Sequence, residues 1–588
     1  MGATKRNTSM EKVDRLTELP ESIIHHIISF LPLTDATKTT ILSSKFRSLW
    51  YSFPFICFNE SRQTGMHRLH KRSKRIDIFL RYVHDFLRLR EPNVALERFT
   101  FRVGLDSEFH EKSDHRIDSA IGYALENHVK ELDLDVVGDD PHYISYYRLP
   151  SAVFSAKSIA LLKLKGFLLE PQDLILTSSF MEDLTIERCS GMKTLQLSCD
   201  KLMHMNIKSC NGLENIDVAA PNMLSFSFDG ELGFSEITFS ACKSLKHLSL
   251  ENTQISDACL MCGVSRLLML ETLKLRQCYS LENLSLHSPQ LKTIAVERCL
   301  SVKKLEVVAP NLESFVCNTG EYKKCIIKIE ACKLLRKIAL EKVEITNQWI
   351  ESTVSDELAL LEDVKLFDCN IRGDFKICHE KLKSFQLLYC QVEEAEIDAR
   401  NLISLVCSVG ALQPKRLALH SPQADVKLFL ESTDATTNWF LRLRDVLASM
   451  GHCRELKLIC SSEKLLMVPE DLRESLLSPL YDLKRLKVEI INKPKGQLVD
   501  LISSLLWLAP HPNFISILLD SREKILKLQY SVRLIPDENQ FCCQTMPIKC
   551  WRHYLKELTM ENFETSERNS VLKYITKNAM RLEATYDQ

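Results

Sequence analysis

The sequence predicts an α/β fold. A three-helix N-terminal unit leads into a long solenoid of short strands with some helices, and a C-terminal strand–helix unit caps it. Three observations predict this. Cysteines recur 21 residues apart, an apolar position recurs every 10 or 11 residues, and one very apolar helix precedes both patterns. The chain has 588 residues, enough for one long repeat array. Its 45% hydrophobic content excludes a largely disordered chain.

The cysteine pairs are Cys189 with Cys210, Cys278 with Cys299, and Cys369 with Cys390. Each first cysteine closes an L-x-L-x-x-C phrase: "LTIERC", "LKLRQC", "VKLFDC". This is the phrase of a leucine-rich repeat, in which a small residue is buried at the turn after a short strand. A thiol packed there acts as a small hydrophobe. Leu184, Leu195, Met205, Ile216 and Phe226 follow one another at steps of 11, 10, 11 and 10, and the series from Leu273 to Phe315 repeats those steps. Alternate phrases end in proline, as in "IDVAAP", "LSLHSP" and "LEVVAP", where the missing N–H closes a strand. The reading is a coil of two short strands, one on each face.

Longer inserts precede Cys278 and Cys369, "ENTQISDACLMCGVSRLLMLETLKL" and "EKVEITNQWIESTVSDELALLEDVKL", and both read as helix followed by strand. "WFLRLRDVLASMGHCRELKL" before Cys460 reads the same way, with its strand phrase displaced by one residue. Helices are also expected in "IDIFLRYVHDFLRL" and "RIDSAIGYALENHVK", and again near the end in "QLVDLISSLLWL" and "SVLKYITKNAM". The expected organisation is 12–58, an N-terminal helical unit; 59–75, a polar basic linker; 76–490, the solenoid; and 491–588, a cap.

The N-terminal unit opens with "LPESIIHHIISFLP". Pro20 suits the first position of a helix, and Pro32 ends it. Ile23, Ile24, Ile27, Ile28, Phe30 and Leu31 make an apolar side wider than an ordinary surface helix shows, with His25 and His26 expected toward solvent. Thr34 or Asp35 would cap a second helix and Ser43 or Ser44 a third. About forty residues lie at the lower limit for an independent core. The spare apolar surface must therefore meet the solenoid or another protein.

"LTELPESIIHHIISFLPLTDATKTTILSSKFRSLW" resembles the F-box, with its Leu-Pro opening, Ile-rich first helix and closing Ser-x-x-aromatic-Arg-x-Leu-Trp. Phe46 stands where plant members usually carry Trp. The whole chain resembles plant F-box/leucine-rich-repeat proteins, and "HYLKELTMENF" with its following helix resembles their FBD-type C-terminal region. The resemblance implies a substrate-recognition subunit of a cullin–RING ubiquitin ligase. The F-box would dock on a Skp-type adaptor and through it on cullin, while the repeats would hold an unknown target protein. Leu19, Pro20, Ile23, Ile24, Ile27, Leu31, Leu42 and Trp50 would make or support the adaptor contact. The same side chains stand out without the resemblance, as apolar surface lacking an internal partner. The alternative is a repeat scaffold or small-ligand receptor that acts without ubiquitin transfer.

For the target, the expectation rests on the cysteine-ended strands. Their leucines point inward and the intervening residues outward. Outward and turn positions there include Arg188, Arg276, Arg298, Lys365 and Phe367, and stacked coils would align them on the binding face. Asp217, Ser285 and Glu306, in the proline-ended phrases, would form the opposite face.

No catalytic residue, cofactor or metal site is expected. The chain holds no G-x-S-x-G, Walker loop or H-E-x-x-H, and the 16 glycines are too sparse for phosphate loops. "CLMC" lacks two further ligands, and Cys542, Cys543, Cys550 and His553 fit no zinc template. A net charge of −1 argues for neither nucleic acid nor an anionic membrane as partner, and no apolar run is long enough to span a bilayer. Without an apolar leader, the 21 cysteines are expected in a reducing compartment, nuclear and/or cytoplasmic. "HKRSKR" reads as solvated linker or as a nuclear signal.

Overall fold

A computed structural model describes residues 18–31, 33–63, 72–90, 94–105, 115–137, 147–170, 172–230, 236–323, 325–410, 416–492, 496–531, 550–580 and 582–587. The chain forms two compact units, Met1–Leu281 and Glu282–Gln588.

The first unit opens with α1 (Glu21–Ser29), α2 (Leu33–Lys38) and α3 (Ser44–Tyr51), with a 3-10 turn at Thr39–Ile41. Pro20 is the cap residue of α1 and not its first helical residue. α2 begins at Leu33, so positions 34 and 35 lie within the helix and not at its cap; Asp35 pairs with Lys38 at 2.7 Å. Ser43 does cap α3, its hydroxyl accepting from the Phe46 N–H at 3.2 Å. Ile24, Ile28, Ala36, Phe46, Leu49 and Trp50 are buried and form the small core.

That core does not end at α3. Phe55–Asn59 is a strand paired in parallel with Arg98–Arg102, which pairs with Glu131–Asp135. The sheet continues in parallel through 161–165, 183–187, 204–208, 225–229, 247–251 and 272–276. A second parallel sheet holds 173–177, 194–198, 215–219 and 236–239. In both sheets inward residues alternate with outward ones, the pattern that puts every second side chain in the core. Between residues 161 and 239 the chain thus lays one short strand in each sheet per coil, as the spacing predicts.

The second unit repeats the plan. One sheet runs in parallel from Thr293–Glu297 to Phe514–Leu519, and short stacks at 283–287, 304–308 and 326–330, and at 375–378, 394–398 and 416–419, form the other face. An antiparallel hairpin, Arg522–Tyr530 with Leu555–Glu561, ends the parallel run. The helices Leu498–Leu508 and Thr565–Asn578 pack together there, with Ser503 and Tyr574 hydroxyls 2.7 Å apart.

The predicted helical inserts exist at Asp257–Arg266 and Thr437–Ala448. The insert at 347–357 is a three-residue α-helical turn followed by a wider π-helical stretch. Cys460 lies inside the strand Glu455–Cys460, opposite Leu430 and Ile490, so its phrase does not end at the turn. The expected linker is shorter than its sequence suggests. Glu60–Gln63 is helical and a helix begins at Arg72, while residues 64–71, with part of "HKRSKR", lie outside the described residues. Among the described residues no helix is long and apolar enough to cross a membrane.

Candidate functional site

The bend after each cysteine-ended strand has one construction. The residue before the cysteine adopts a left-handed backbone: φ is 51° at Arg188, 53° at Ser209, 52° at Gln277, 54° at Arg298, 52° at Asp368 and 58° at Tyr389. The cysteine then turns inward, where its thiol meets the carbonyl two residues before it and, at Cys189, Cys210, Cys278, Cys369 and Cys390, also a carbonyl of the preceding coil. Cys210 reaches Ile186 O at 3.6 Å, Cys278 reaches Leu250 O at 3.6 Å, and Cys369 and Cys390 reach Leu340 O and Leu366 O at 3.4 Å each. A cysteine is small enough for the bend and still supplies one weak donor to a buried carbonyl. Burial pushes the Cys189 thiol up to about 12, so it stays protonated and inert.

On the N-terminal unit, α1 divides its isoleucines. Ile24 and Ile28 face α3 and are fully buried, whereas Ile23 is 44% exposed and Ile27 39%. Phe30, Leu31, Ile41 and Leu42 of the same unit are also exposed. Pro20 is exposed and Leu19 half-buried, its carbonyl accepting from Lys45 Nζ at 2.8 Å. Of the eight candidate adaptor residues, Ile24 and Trp50 are therefore core residues that can only support the face. Trp50 stacks near Phe53 (5.9 Å between centroids) and meets Phe86 edge-on (5.5 Å), which ties α3 to the helix Arg72–Arg88. Phe30 and Ile41 belong to the exposed face but are missing from the candidate set. Both stand in the same apolar runs, and that was the available signal.

His25 does not face solvent as expected. It is half-buried, with Nε2 3.2 Å from Leu49 O and its ring edge-on to Phe53 at 5.7 Å. One turn of α1 places it beside Ile24 and Ile28, on the side covered by α3. His26 is exposed beside Phe30, with ring centroids 4.8 Å apart.

Of the five candidate target-binding residues, Arg276 in the first unit and Lys365 and Phe367 in the second lie in cysteine-ended strands, whereas Arg188 in the first unit and Arg298 in the second lie at the bends just after them. Arg276 pairs with Glu251 at 3.1 Å. Lys365 lies over the Phe367 ring at 5.4 Å, and Phe367 meets Tyr389 of the next coil at 5.2 Å. Asp217, Ser285 and Glu306 stand on the other sheets. There Glu306 is held by Lys304 at 2.9 Å and Lys328 at 3.5 Å, and its hydrogen bond from Lys304 keeps the carboxyl below the usual range.

Cys259 and Cys262 share the helix Asp257–Arg266. Cys550 caps and His553 ends the 3-10 turn Trp551–His553, whereas Cys542 and Cys543 lie outside the described residues. Among the described residues no three His, Cys, Asp or Glu side chains converge as metal ligands.

Comparison with known proteins agrees with this architecture. Residues 16–58 match the F-box domain model, and residues 170–237 and 232–326 match the model described as "At1g61320/AtMIF1, LRR domain". The chain carries an F-box and leucine-rich repeats. This F-box/leucine-rich-repeat chain is similar to F-box/LRR-repeat protein 13 of Arabidopsis thaliana, 26% identical over 43% of this chain and 55% of that protein. It is also similar to F-box/FBD/LRR-repeat protein At1g78750 (26% identity; 43% of this chain, 56% of the relative) and to F-box/LRR-repeat protein At4g14096 (32%; 30% and 34%), both from Arabidopsis thaliana. The chain spans about half the length of the curated relatives it matches, or less.

Proposed function

We propose that the chain is the substrate-recognition subunit of a Skp–cullin–F-box ubiquitin ligase, non-catalytic in itself. One observation carries the reading: the F-box presents Ile23, Ile27, Phe30, Leu31, Ile41 and Leu42 to solvent around a well-packed core. So many large apolar side chains left exposed on so small a unit are what a partner covers. The F-box resemblance supplies the partner, a Skp-type adaptor and through it cullin. The target protein would lie on the cysteine-ended strands, near Arg188, Arg276, Arg298, Lys365 and Phe367. Mixed charges around an occasional aromatic favour that face, since Arg and aromatic side chains dominate interface energies.

The test is co-purification of the full chain with a Skp-type adaptor, wild type against Ile27→Asp. The wild type should retain the adaptor. The variant should lose at least about tenfold in affinity, because an aspartate on that face would be buried unpaired. Ile27 lies at the surface, so the melting temperature should change little. A folded variant that still binds puts the contact elsewhere. A wild type that never binds favours a scaffold or receptor acting without ubiquitin transfer.

A further inference from the structure

We infer that the outward face of the second unit's parallel sheet, between Lys365 and Ile491, binds an acidic segment of the target protein that also carries a large apolar side chain. The inference rests on the reading that the target lies on the cysteine-ended strands. It narrows that reading to one patch and one partner chemistry.

The strand register assembles the patch. Lys365, Gln386, Val406, Lys427, Lys457 and Lys487 stand opposite one another on successive parallel strands. Two residues further along, Phe367 is opposite Leu388, and Phe429 is opposite Ile459. Residues two apart on a strand share a face, so a basic row and an apolar row lie side by side. The residues between them, such as Leu366 and Leu428, point into the core. Phe367, Leu388 and Phe429 are only half-buried, and Tyr389 and Ile491 are exposed. The apolar row leads to a cleft of about 420 Å³ whose walls include Phe429, Ile459 and Ile491.

The charges on this face do not balance. Lys427, Lys457 and Lys487 fall on three adjacent strands about 4.8 Å apart, where like charges side by side are unfavourable. Two of them are relieved within the sheet: Lys457 pairs with Glu489 at 2.7 Å, and Lys487 with Glu455 at 2.7 Å. Among the described residues no carboxylate forms an ion pair with Lys427 or Lys365. Each lies instead over a ring of the apolar row, Lys427 over Phe429 at 4.8 Å and Lys365 over Phe367 at 5.4 Å. The carboxylates at the start of the same strands are committed elsewhere, Asp363 to Lys337 at 3.6 Å and Asp425 to Arg454.

Two ammonium groups so placed are matched by carboxylates from outside. Lys365 and Lys427 are three strands apart, about 14 Å, which about four residues of extended peptide span. Glu431 is the one charged residue lining the cleft, so an apolar side chain enters it while the acids stay over the lysines. Nucleic acid also suits lysines beside aromatic rings. It fits this face less well, because Asp425, Glu455 and Glu489 on the same strands would repel a continuous run of phosphates.

The experiment is selection of random peptides of about 12 residues, displayed on phage, against the full chain. The selected sequences are then measured as labelled synthetic peptides by fluorescence polarisation. They should combine Asp or Glu with Phe, Trp or Leu, and should bind more weakly as salt rises. Lys365→Glu with Lys427→Glu should weaken them at least about tenfold, and Phe429→Ala about tenfold. Lys328→Glu, on the other sheet, should leave them unchanged. Melting temperatures check that each variant is folded. The patch is refuted if no peptide is enriched, if the enriched peptides are basic or uncharged, or if binding survives the lysine pair. It is equally refuted if a single-stranded oligothymidylate binds more tightly than the peptides and is lost with the same pair. Loss with Arg298→Glu but not with the lysine pair would refute this patch and keep the target on the cysteine-ended face. Loss with Lys328→Glu alone would refute that face as well.

Discussion

Single residues do unequal work at the bends of the solenoid. The left-handed backbone at Arg188, Arg298 and Tyr389 costs an L-residue about 1–2 kcal/mol. It is tolerated because it turns the next side chain, a cysteine, into the core, and after Arg188 and Tyr389 that thiol reaches a carbonyl of the coil before. Arg298→Gly should remove the Cβ clash and return part of that gain to the unfolded chain as entropy, for a net stabilisation of about 0.5–1 kcal/mol. Arg298→Val, β-branched at positive φ, should destabilise by more than about 1 kcal/mol. Urea unfolding of the two variants checks the order, and a glycine variant less stable than wild type would show that φ strain does not govern this position. If Arg298 takes part in target binding as proposed, the same glycine variant should capture less target while being more stable.

Elements are joined more tightly at the N-terminus than a short F-box followed by a linker would suggest. The buried Arg90, just past the helix Arg72–Arg88, donates from Nη1 to Trp50 O at 3.1 Å, from Nη2 to Phe53 O at 2.5 Å and from Nε to the Tyr123 hydroxyl at 3.2 Å. One guanidinium thus ties α3, the turn after it and the helix His115–Glu126 together. Arg90→Met should cost about 3 kcal/mol, since it strands the Phe53 carbonyl that a charged donor had satisfied and leaves the Trp50 carbonyl with the Phe53 N–H at 3.3 Å. Chemical denaturation followed by circular dichroism measures it. A loss below about 1 kcal/mol would mean that water replaces the guanidinium there. The exposed face of α1 should be unaffected, so adaptor binding by the folded variant should persist.

At the scale of the molecule, the buried thiols link stability to pH. Burial pushes Cys189, Cys407, Cys453 and Cys460 up to about 12 from an ordinary value of 9.0, so both units contain thiols that resist ionisation. The unfolded chain ionises these groups first. Their contribution to stability is therefore complete below pH 9 and is lost as pH rises from 9 toward about 12. Urea midpoints should be level near pH 8 and fall steadily above pH 9, with a shallower fall for Cys189→Ala. A midpoint constant up to pH 11 would refute this linkage. Alkylation at pH 8 should modify the exposed Cys262 and Cys378 and spare Cys189 until the chain unfolds.

Much of this was legible in the sequence for local reasons. A 21-residue cysteine interval and a 10- or 11-residue apolar step permit one short strand per face and little else, because side chains alternate along a strand. The same period sorts Lys365 and Phe367 from Glu306 onto different sheets. The Leu-Pro opening and Ile-rich run gave the F-box. What the period could not give were contacts between segments far apart in the chain. Which isoleucines of α1 point inward depends on where α3 packs, so the apolar run alone does not separate the buried Ile24 from the exposed Ile23 and Ile27 or turn His25 inward. Phe30 and Ile41 escaped the candidate set because their openness depends on what fails to cover them. Arg90 lies 40 residues from Trp50, and Phe429 depends on Ile459 and Ile491 to close its cleft. Local spacing determined the coil, because strand geometry repeats identically at every turn. Tertiary structure alone decided which side chains share a core, a clamp or a cleft, because those neighbours are set by how distant segments stack.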